Sequence, residues 1–372
     1  MLGVRSRYAA LPDSCGTGAP PSGAVRRGSV RYIMHMQDSR EVLIVSEGHS
    51  GSGSFHPSLE AALRLRTGSR RGTELAGISA VVPTVFAGTK LDADSGAQVV
   101  EHLLGCGVTA LTAMGLASEP WALTRAQRAE QIASVVAAAD GRVPVLAGVG
   151  GSHYQGVASA VEMARAGVTH LMVLLPPEAI DSDLAFSYLE LVHDETGLPL
   201  VLQDAPQLTG KGLAVSTIQR LVEDLPALVS VKLEGLDCGP EVSAVSKTPV
   251  TVLVGWGGIN LPDRLGRGAS GCMPGAGTAP TFARILEQWS ADQAAARETY
   301  EQLLPLLVYA SQSLDLMIAT TKRILGMLGV IGDVSSVPGK RRPDPMQLRT
   351  VSAQIDHLIS KGVIPGNATL RK

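Results

Sequence analysis

Lys232 interrupts an otherwise apolar run, Val229-Ser-Val-Lys-Leu-Glu234. A lysine placed there cannot snorkel into bulk water as surface lysines do, so it must lie in an interior or at a rim. Burial disfavours the ammonium form, lowering the pKa from its reference value of about 10.4 and leaving some amine free to attack a carbonyl. Residues two apart on a strand share a face, which sets Glu234 beside the amine as a candidate proton shuttle. The same spacing fits an ion pair of Lys232 with Glu234 that is structural and nothing more. Both readings stay open on these residues alone.

Three other places carry candidate chemistry. Leu200-Val-Leu-Gln-Asp-Ala-Pro206 puts Gln203 and Asp204 at the exit of an apolar run, where alternation lets only one of them face inward. The other caps the following loop, and Asp204 fits a turn or capping role as well as a catalytic one. Gly115-Leu-Ala-Ser-Glu119 offers backbone amides and the Ser118 hydroxyl to a carboxylate. Gly255 and Gly257, in Gly255-Trp-Gly-Gly-Ile-Asn260, permit close backbone approach to a ligand, although tight turns account for them equally well.

Such groups need a frame. From Gly77 onward, short β-branched apolar runs alternate with stretches of helical period, the pattern of repeated βα units and a parallel sheet. Eight strands are expected, over Ile78–Pro83, Ala110–Met114, Pro144–Val149, His170–Leu175, Pro199–Gln203, Leu228–Leu233, Val250–Val254 and Gly271–Pro274. Eight units in some two hundred residues match a (β/α)8 barrel, whose reacting groups sit at the C-terminal ends of its strands. A doubly wound sheet is the alternative, but the first βα turn has no GxGxxG. Ala294–Leu307, Gln312–Leu328 and Pro345–Leu358 then read as three trailing helices, broken by the Pro/Gly/Arg stretch 337–343. The expected organisation is therefore a disordered extension over 1–74, a barrel over 75–290 and a helical extension packed on it over 291–372. The first segment is rich in Pro, Gly, Ser and Arg without periodicity and buries too little to offset its ordering entropy. It can equally reflect an upstream start codon, with the true start at Met34 or Met36.

Composition narrows the partners. The chain has 32 basic and 34 acidic residues, so no overall charge draws it to nucleic acid or to an anionic membrane. No apolar run approaches the roughly 18 residues of a membrane span. Aromatic residues make up only 3%, so the core must be packed from aliphatic and small side chains. Cys15, Cys106, Cys238 and Cys272 are widely spaced with no CxxC, which argues against a disulfide framework or a zinc site and fits a reducing cytoplasm. The expectation is a cytoplasmic protein acting on a small molecule.

From Gly77 to about Leu358 the chain resembles the dihydrodipicolinate synthase/N-acetylneuraminate lyase family. The resemblance rests on ordered features: Pro83-Thr84 after strand one, a Gly-x-x-x-Glu turn followed by Leu123-Thr124, Pro176-Pro177 after strand four, Asp-x-Pro-x-x-Thr-Gly from Asp204, Lys232 ending strand six, and three trailing helices. It implies a homotetramer or homodimer, no metal or organic cofactor, and an imine between Lys232 and the keto carbon of pyruvate or a related 2-oxo acid. By the same resemblance, Thr84, Gly115, Ser118 and Glu119 belong to the substrate pocket. The departures matter as much. Leu116 and Ala117 replace the family's two threonines, Ser118 stands for its second glycine, Gln203 takes the place of a tyrosine, and Pro177-Glu178-Ala179 occupies the stretch where further tyrosines are usual. These losses remove the hydroxyl relay and argue against condensation of pyruvate with aspartate semialdehyde. The expectation is a Schiff-base lyase, an aldolase or a dehydratase/hydratase of a 2-oxo acid, in which Glu234, Asp204 or Glu119, or a group of the substrate, moves protons in place of the hydroxyls. A catalytically silent barrel that binds an oxo acid as a sensor or structural subunit is the alternative.

Overall fold

A computed structural model describes residues 75–151, 153–180, 183–332 and 343–366. The extension expected over 1–74 and most of the stretch 337–343 lie outside the described residues.

Eight parallel strands close into a barrel: β1 Gly77–Val81, β2 Ala110–Ala113, β3 Val145–Val149, β4 His170–Leu174, β5 Leu200–Asp204, β6 Leu228–Leu233, β7 Thr251–Val254 and β8 Gly271–Cys272. Each pairs with the next in sequence, and β8 pairs back onto β1. The fold is the (β/α)8 barrel that the apolar runs imply. The strands stop short of the prolines at the edges of those runs, Pro83, Pro144, Pro199 and Pro274, because a residue without an N–H cannot donate to the ladder. A two-stranded hairpin, Phe86–Ala87 with Lys90–Leu91, was not legible in the sequence; Gly88, at φ 64°, turns it.

Helices α1 Ala93–Gly105, α2 Arg125–Ala139, α3 His153–Arg165, α4 Leu184–Thr196, α5 Val215–Asp224, α6 Gly239–Val245, α7 Leu261–Gly266 and α8 Ala279–Ala291 alternate with the strands. Three more follow: α9 Gln293–Ala310, α10 Leu314–Met327 and α11 Pro345–Ser360. Thr124 starts α2 with a reciprocal capping box to Gln127, and Asp344 does the same for α11 with Gln347. No helix among the described residues is long and apolar enough to cross a membrane.

Strands buried on both faces divide the core in two. Alternate residues such as Leu111, Ala147, Val173, Leu202, Val231 and Val252 pack outward under the helices. Their neighbours Ala110, Leu146, Met172, Val201, Leu253 and Met273 fill the barrel interior. Between β5 and β6 the register slips: Leu200 pairs with Leu228, but Val201 pairs with Ser230. Val229 is the extra residue of a bulge. By unbroken alternation from outward-packed Leu228, Lys232 would also turn outward; the bulge reverses the phase and sends Ser230, Lys232 and Glu234 inward.

Candidate active site

The bulge delivers a lysine to the upper layer of the interior, where Gln203 pairs with Lys232 on one side and with Leu174 on the other. Lys232 is only 3% exposed and its Nζ lies 2.8 Å from Oε1 of Glu234, which is equally buried. The amide of Gln203 donates to that same carboxylate oxygen. The backbone N–H of Trp256 donates to the other oxygen at 3.2 Å, and Gln207 Nε2 donates to the Glu234 carbonyl at 2.8 Å. Both carboxylate oxygens are thus partnered. Burial pushes the Glu234 carboxyl up, but the charge of Lys232 and the bonds from Lys232, Gln203 and Trp256 outweigh it and hold the group below the usual carboxylate range.

Gly255 makes room for this carboxylate. A Cβ built there would stand 2.1 Å from Glu234 Cγ, so the glycine is required by the packing of the acid. Gly257, at φ 67°, serves the turn, and a Cβ there would come no closer than 3.7 Å to Met317. Of the two polar residues that end β5, Gln203 is the inward one. Asp204 faces away: its carboxylate accepts from Leu213 N–H at 3.1 Å and its carbonyl from Glu234 N–H at 2.9 Å. It therefore braces the two loops that follow β5 and β6.

The residues near the β2 turn divide likewise. The Ser118 hydroxyl donates to the Val82 carbonyl at 2.6 Å, and that of Thr84 to the Ser118 carbonyl at 2.6 Å. Thr84 Oγ1 also lies 2.7 Å from the side-chain amide oxygen of Gln131. These two hydroxyls therefore fasten the turn to β1 and α2. Gly115 must be glycine, since a Cβ would meet Val81 Cγ1 at 2.8 Å. Glu119, left-handed at φ 55°, sends its carboxylate to Lys322 on α10, with Nζ 2.7 Å from Oε2 and both groups buried. This pair joins the trailing helices to the barrel rim across 203 residues of sequence.

Lys322 escaped the sequence reading, although a lysine among the buried residues Ile318, Thr321 and Leu325 of one helix was its available signal. Lys322→Met leaves the Glu119 carboxylate buried without a counter-charge and is expected to destabilise the fold by about 3–5 kcal/mol in urea unfolding. Adding Glu119→Gln should recover part of that loss, and a single variant as stable as the parent would mean the pair contributes nothing.

A cavity of about 650 Å³ opens beside the lysine layer. Gly115, Leu116, Leu174 and Gln203 line its inner end, and it continues between α2 and α3. Lys232 and Glu234 are not in its lining; Gln203 joins them to it. Among the described residues the free thiols are not rival nucleophiles, because burial pushes Cys106 up to about 11 and raises Cys238 and Cys272 as well.

A family model described as the dihydrodipicolinate synthetase family matches residues 74–340. The chain belongs to that family. Among its relatives, L-2-keto-3-deoxyarabonate dehydratase of Azospirillum brasilense is 29% identical over 274 residues, covering 68% of this chain and 85% of the relative. The 4-hydroxy-tetrahydrodipicolinate synthase 2 of Streptomyces coelicolor is 28% identical over 261 residues, with the same coverage of 68% and 85%. Two solved structures agree in fold. Dihydrodipicolinate synthase from Rhodopseudomonas palustris superposes with a TM-score of 0.71 at 22% identity, covering 76% of this chain and 98% of that one. A prophage protein of the dihydrodipicolinic acid synthase family from E. coli K12, in complex with pyruvate, gives 0.70 at 22% identity with the same coverage. Within the dihydrodipicolinate synthetase family, this chain combines a lysine at the end of β6 with a carboxylate beside it, Glu234, and with an amide, Gln203, where the resemblance leads one to expect a tyrosine.

Proposed function

We propose that the chain is a Schiff-base lyase of a 2-oxo acid, either an aldolase or a dehydratase/hydratase, with Lys232 as the nucleophile. The observation that carries this reading is the contact at 2.8 Å between a buried lysine at the inner rim of the barrel and a buried carboxylate that Gln203 and Trp256 hold in place. A nucleophile with a base beside it and a third group orienting that base is the arrangement covalent catalysis needs. It also accounts for burying an ion pair whose desolvation makes it a poor source of stability.

The amine adds to the keto carbon and, with loss of water, gives an iminium ion that draws electrons from the neighbouring carbon. In dehydration, Glu234 takes a proton from C3; the enamine then expels the C4 oxygen, to which Glu234 returns that proton, and water leaves. In aldol cleavage, Glu234 takes the proton of the C4 hydroxyl, the C3–C4 bond breaks to release an aldehyde, and the proton returns to C3 of the enamine. Both routes use the same electrostatics. While the nitrogen is charged, Glu234 stays a carboxylate and acts as a base; once the nitrogen is a neutral enamine, the burial that opposes ionisation takes over and favours the protonated acid. Gln203 donates a hydrogen bond to that carboxylate throughout and orients it, since an amide cannot exchange protons at neutral pH. The first residues of the turn after β2, Leu116 and Ala117, have backbone N–H groups with no partner inside it and suit the substrate carboxylate. Thr84, Ser118, Glu119 and Asp204 act one step removed, by holding the loops that carry these groups.

The relatives named as a dehydratase and a synthase support this reaction class, and membership of the family is what suggests a homotetramer or homodimer. Incubating the protein with pyruvate and a panel of 2-oxo acids in the presence of borohydride should add the mass of the reduced acid to the Lys232 peptide. No adduct with any of them would replace this reading with a silent barrel that only binds an oxo acid.

A further inference from the structure

The cavity between α2 and α3 is larger than pyruvate requires, at about 650 Å³ within the range of pockets that take a drug-sized ligand. Its inner end is set by the strand register. Leu174 stands opposite Gln203, and Gln203 opposite Lys232, so a molecule bonded to Lys232 and passing Gln203 enters this space. Glycine lets the wall close tightly there: at Gly148 a Cβ would collide with the Met114 carbonyl at 2.3 Å, so β3 packs directly on the backbone of the turn after β2.

The walls are apolar, through Leu116, Ile132, Met163 and Trp121, the last 48% exposed. Among the described residues, the ionisable lining consists of Arg125, Arg128 and Glu162. Two guanidinium groups against one carboxylate leave these three with one net positive charge. Arg125 is the paired one, held by Glu162 across the gap from α2 to α3. Arg128, one turn further along α2 and half-buried, has no ion-pair or side-chain hydrogen-bond partner among the described residues. A planar donor group, partly desolvated and without an anion, is suited to grip a carboxylate.

We propose that this cavity receives the far end of the substrate, and that this end carries an anionic group, a carboxylate or a group of like charge, bound by Arg128. The inference rests on the Schiff-base reading and extends it to a substrate class: 2-oxo acids with an apolar middle and a second acidic terminus.

The test uses full-length protein and matched pairs of acids, 2-oxoglutarate, 2-oxoadipate and 2-oxopimelate against the 2-oxo monoacids of the same chain length. Borohydride trapping at Lys232 should favour the best-fitting diacid over its monoacid by about tenfold or more, the worth of one charge-assisted hydrogen bond. Arg128→Met should bring that ratio close to one. Equal trapping of diacids and monoacids by the parent protein overturns the proposal, as does a diacid preference that survives Arg128→Met. Calorimetry of the same diacids with Lys232→Arg separates the two readings. Binding that needs Arg128 but no imine upholds the anion site even if trapping fails and the Schiff-base reading falls. A diacid that binds through Arg128 without competing with pyruvate for Lys232 would make the cavity an effector site and overturn its assignment to the substrate.

Discussion

Lys232→Arg should fold, keep its contact with Glu234, and lose turnover and borohydride trapping together. The logic lies in what arginine preserves. A guanidinium supplies the positive charge and the donors that the Glu234 carboxylate requires, so the buried pair survives. It does not give up a proton in proteins, so no imine can form. Loss of the nucleophile should bring the rate down to background, on the order of 10⁵-fold or more where the reaction depends on it. If Lys232 were only the ion-pair partner of Glu234, the arginine variant would retain activity in a steady-state assay. Lys232→Ala is a weaker test, because it strands a buried carboxylate and can lose activity by unfolding at a cost of about 3–5 kcal/mol.

How far the site can be read from the sequence depends on distance along the chain. The barrel is legible because each strand buries both faces and each helix one, so the apolar pattern changes period at every boundary. Lys232 is legible for the same reason, as a charge in a run that otherwise has none. The direction it faces is another matter. Strict alternation from Leu228 points it into the helical layer, and only the extra residue at Val229 turns it inward, a feature that depends on pairing with β5. The choice between Gln203 and Asp204 is of this kind too, being settled by which of them follows the inward phase of Val201.

Long-range partners are still less visible. Glu119 looks like a pocket residue because it follows a glycine turn at a strand exit, yet its carboxylate belongs to Lys322, far along the chain on α10. The bond ties the turn that lines the cavity to the trailing helices. Those helices are therefore part of what positions the rim, and not a separate appendage to it. Thr84 and Ser118 show the same shift in meaning: polar groups at the ends of strands, which suggest ligand contacts in isolation, satisfy main-chain carbonyls of neighbouring loops instead. Gly255 shows the reverse, a glycine that reads as a generic turn residue but whose missing side chain leaves the space in which the acid sits.

Glu234→Gln should separate proton transfer from bond formation. The amide fills the same space and can accept from Trp256 N–H, but it cannot take a proton from C3 or from a hydroxyl, so kcat should fall by about 10²–10⁴-fold. Imine trapping at Lys232 should persist, because the nucleophile is untouched; loss of trapping along with turnover would make Glu234 a structural counter-ion and sink its assignment as the proton carrier. The substitution also has a signature in stability. The folded carboxyl is held below its ordinary value of 4.5. A proton therefore binds more tightly to the unfolded chain, and stability rises with pH through that window. The contribution is complete above the unfolded value and is lost as pH falls through the lower folded one. At neutral pH the parent protein has all of it, whereas Glu234→Gln has none and leaves Lys232 buried without its counter-charge, a loss of up to about 3–5 kcal/mol. The difference in unfolding free energy between parent and variant should consequently shrink as pH is lowered from 7 toward 3. A constant difference across that range would show that the carboxylate is not what holds the pair together.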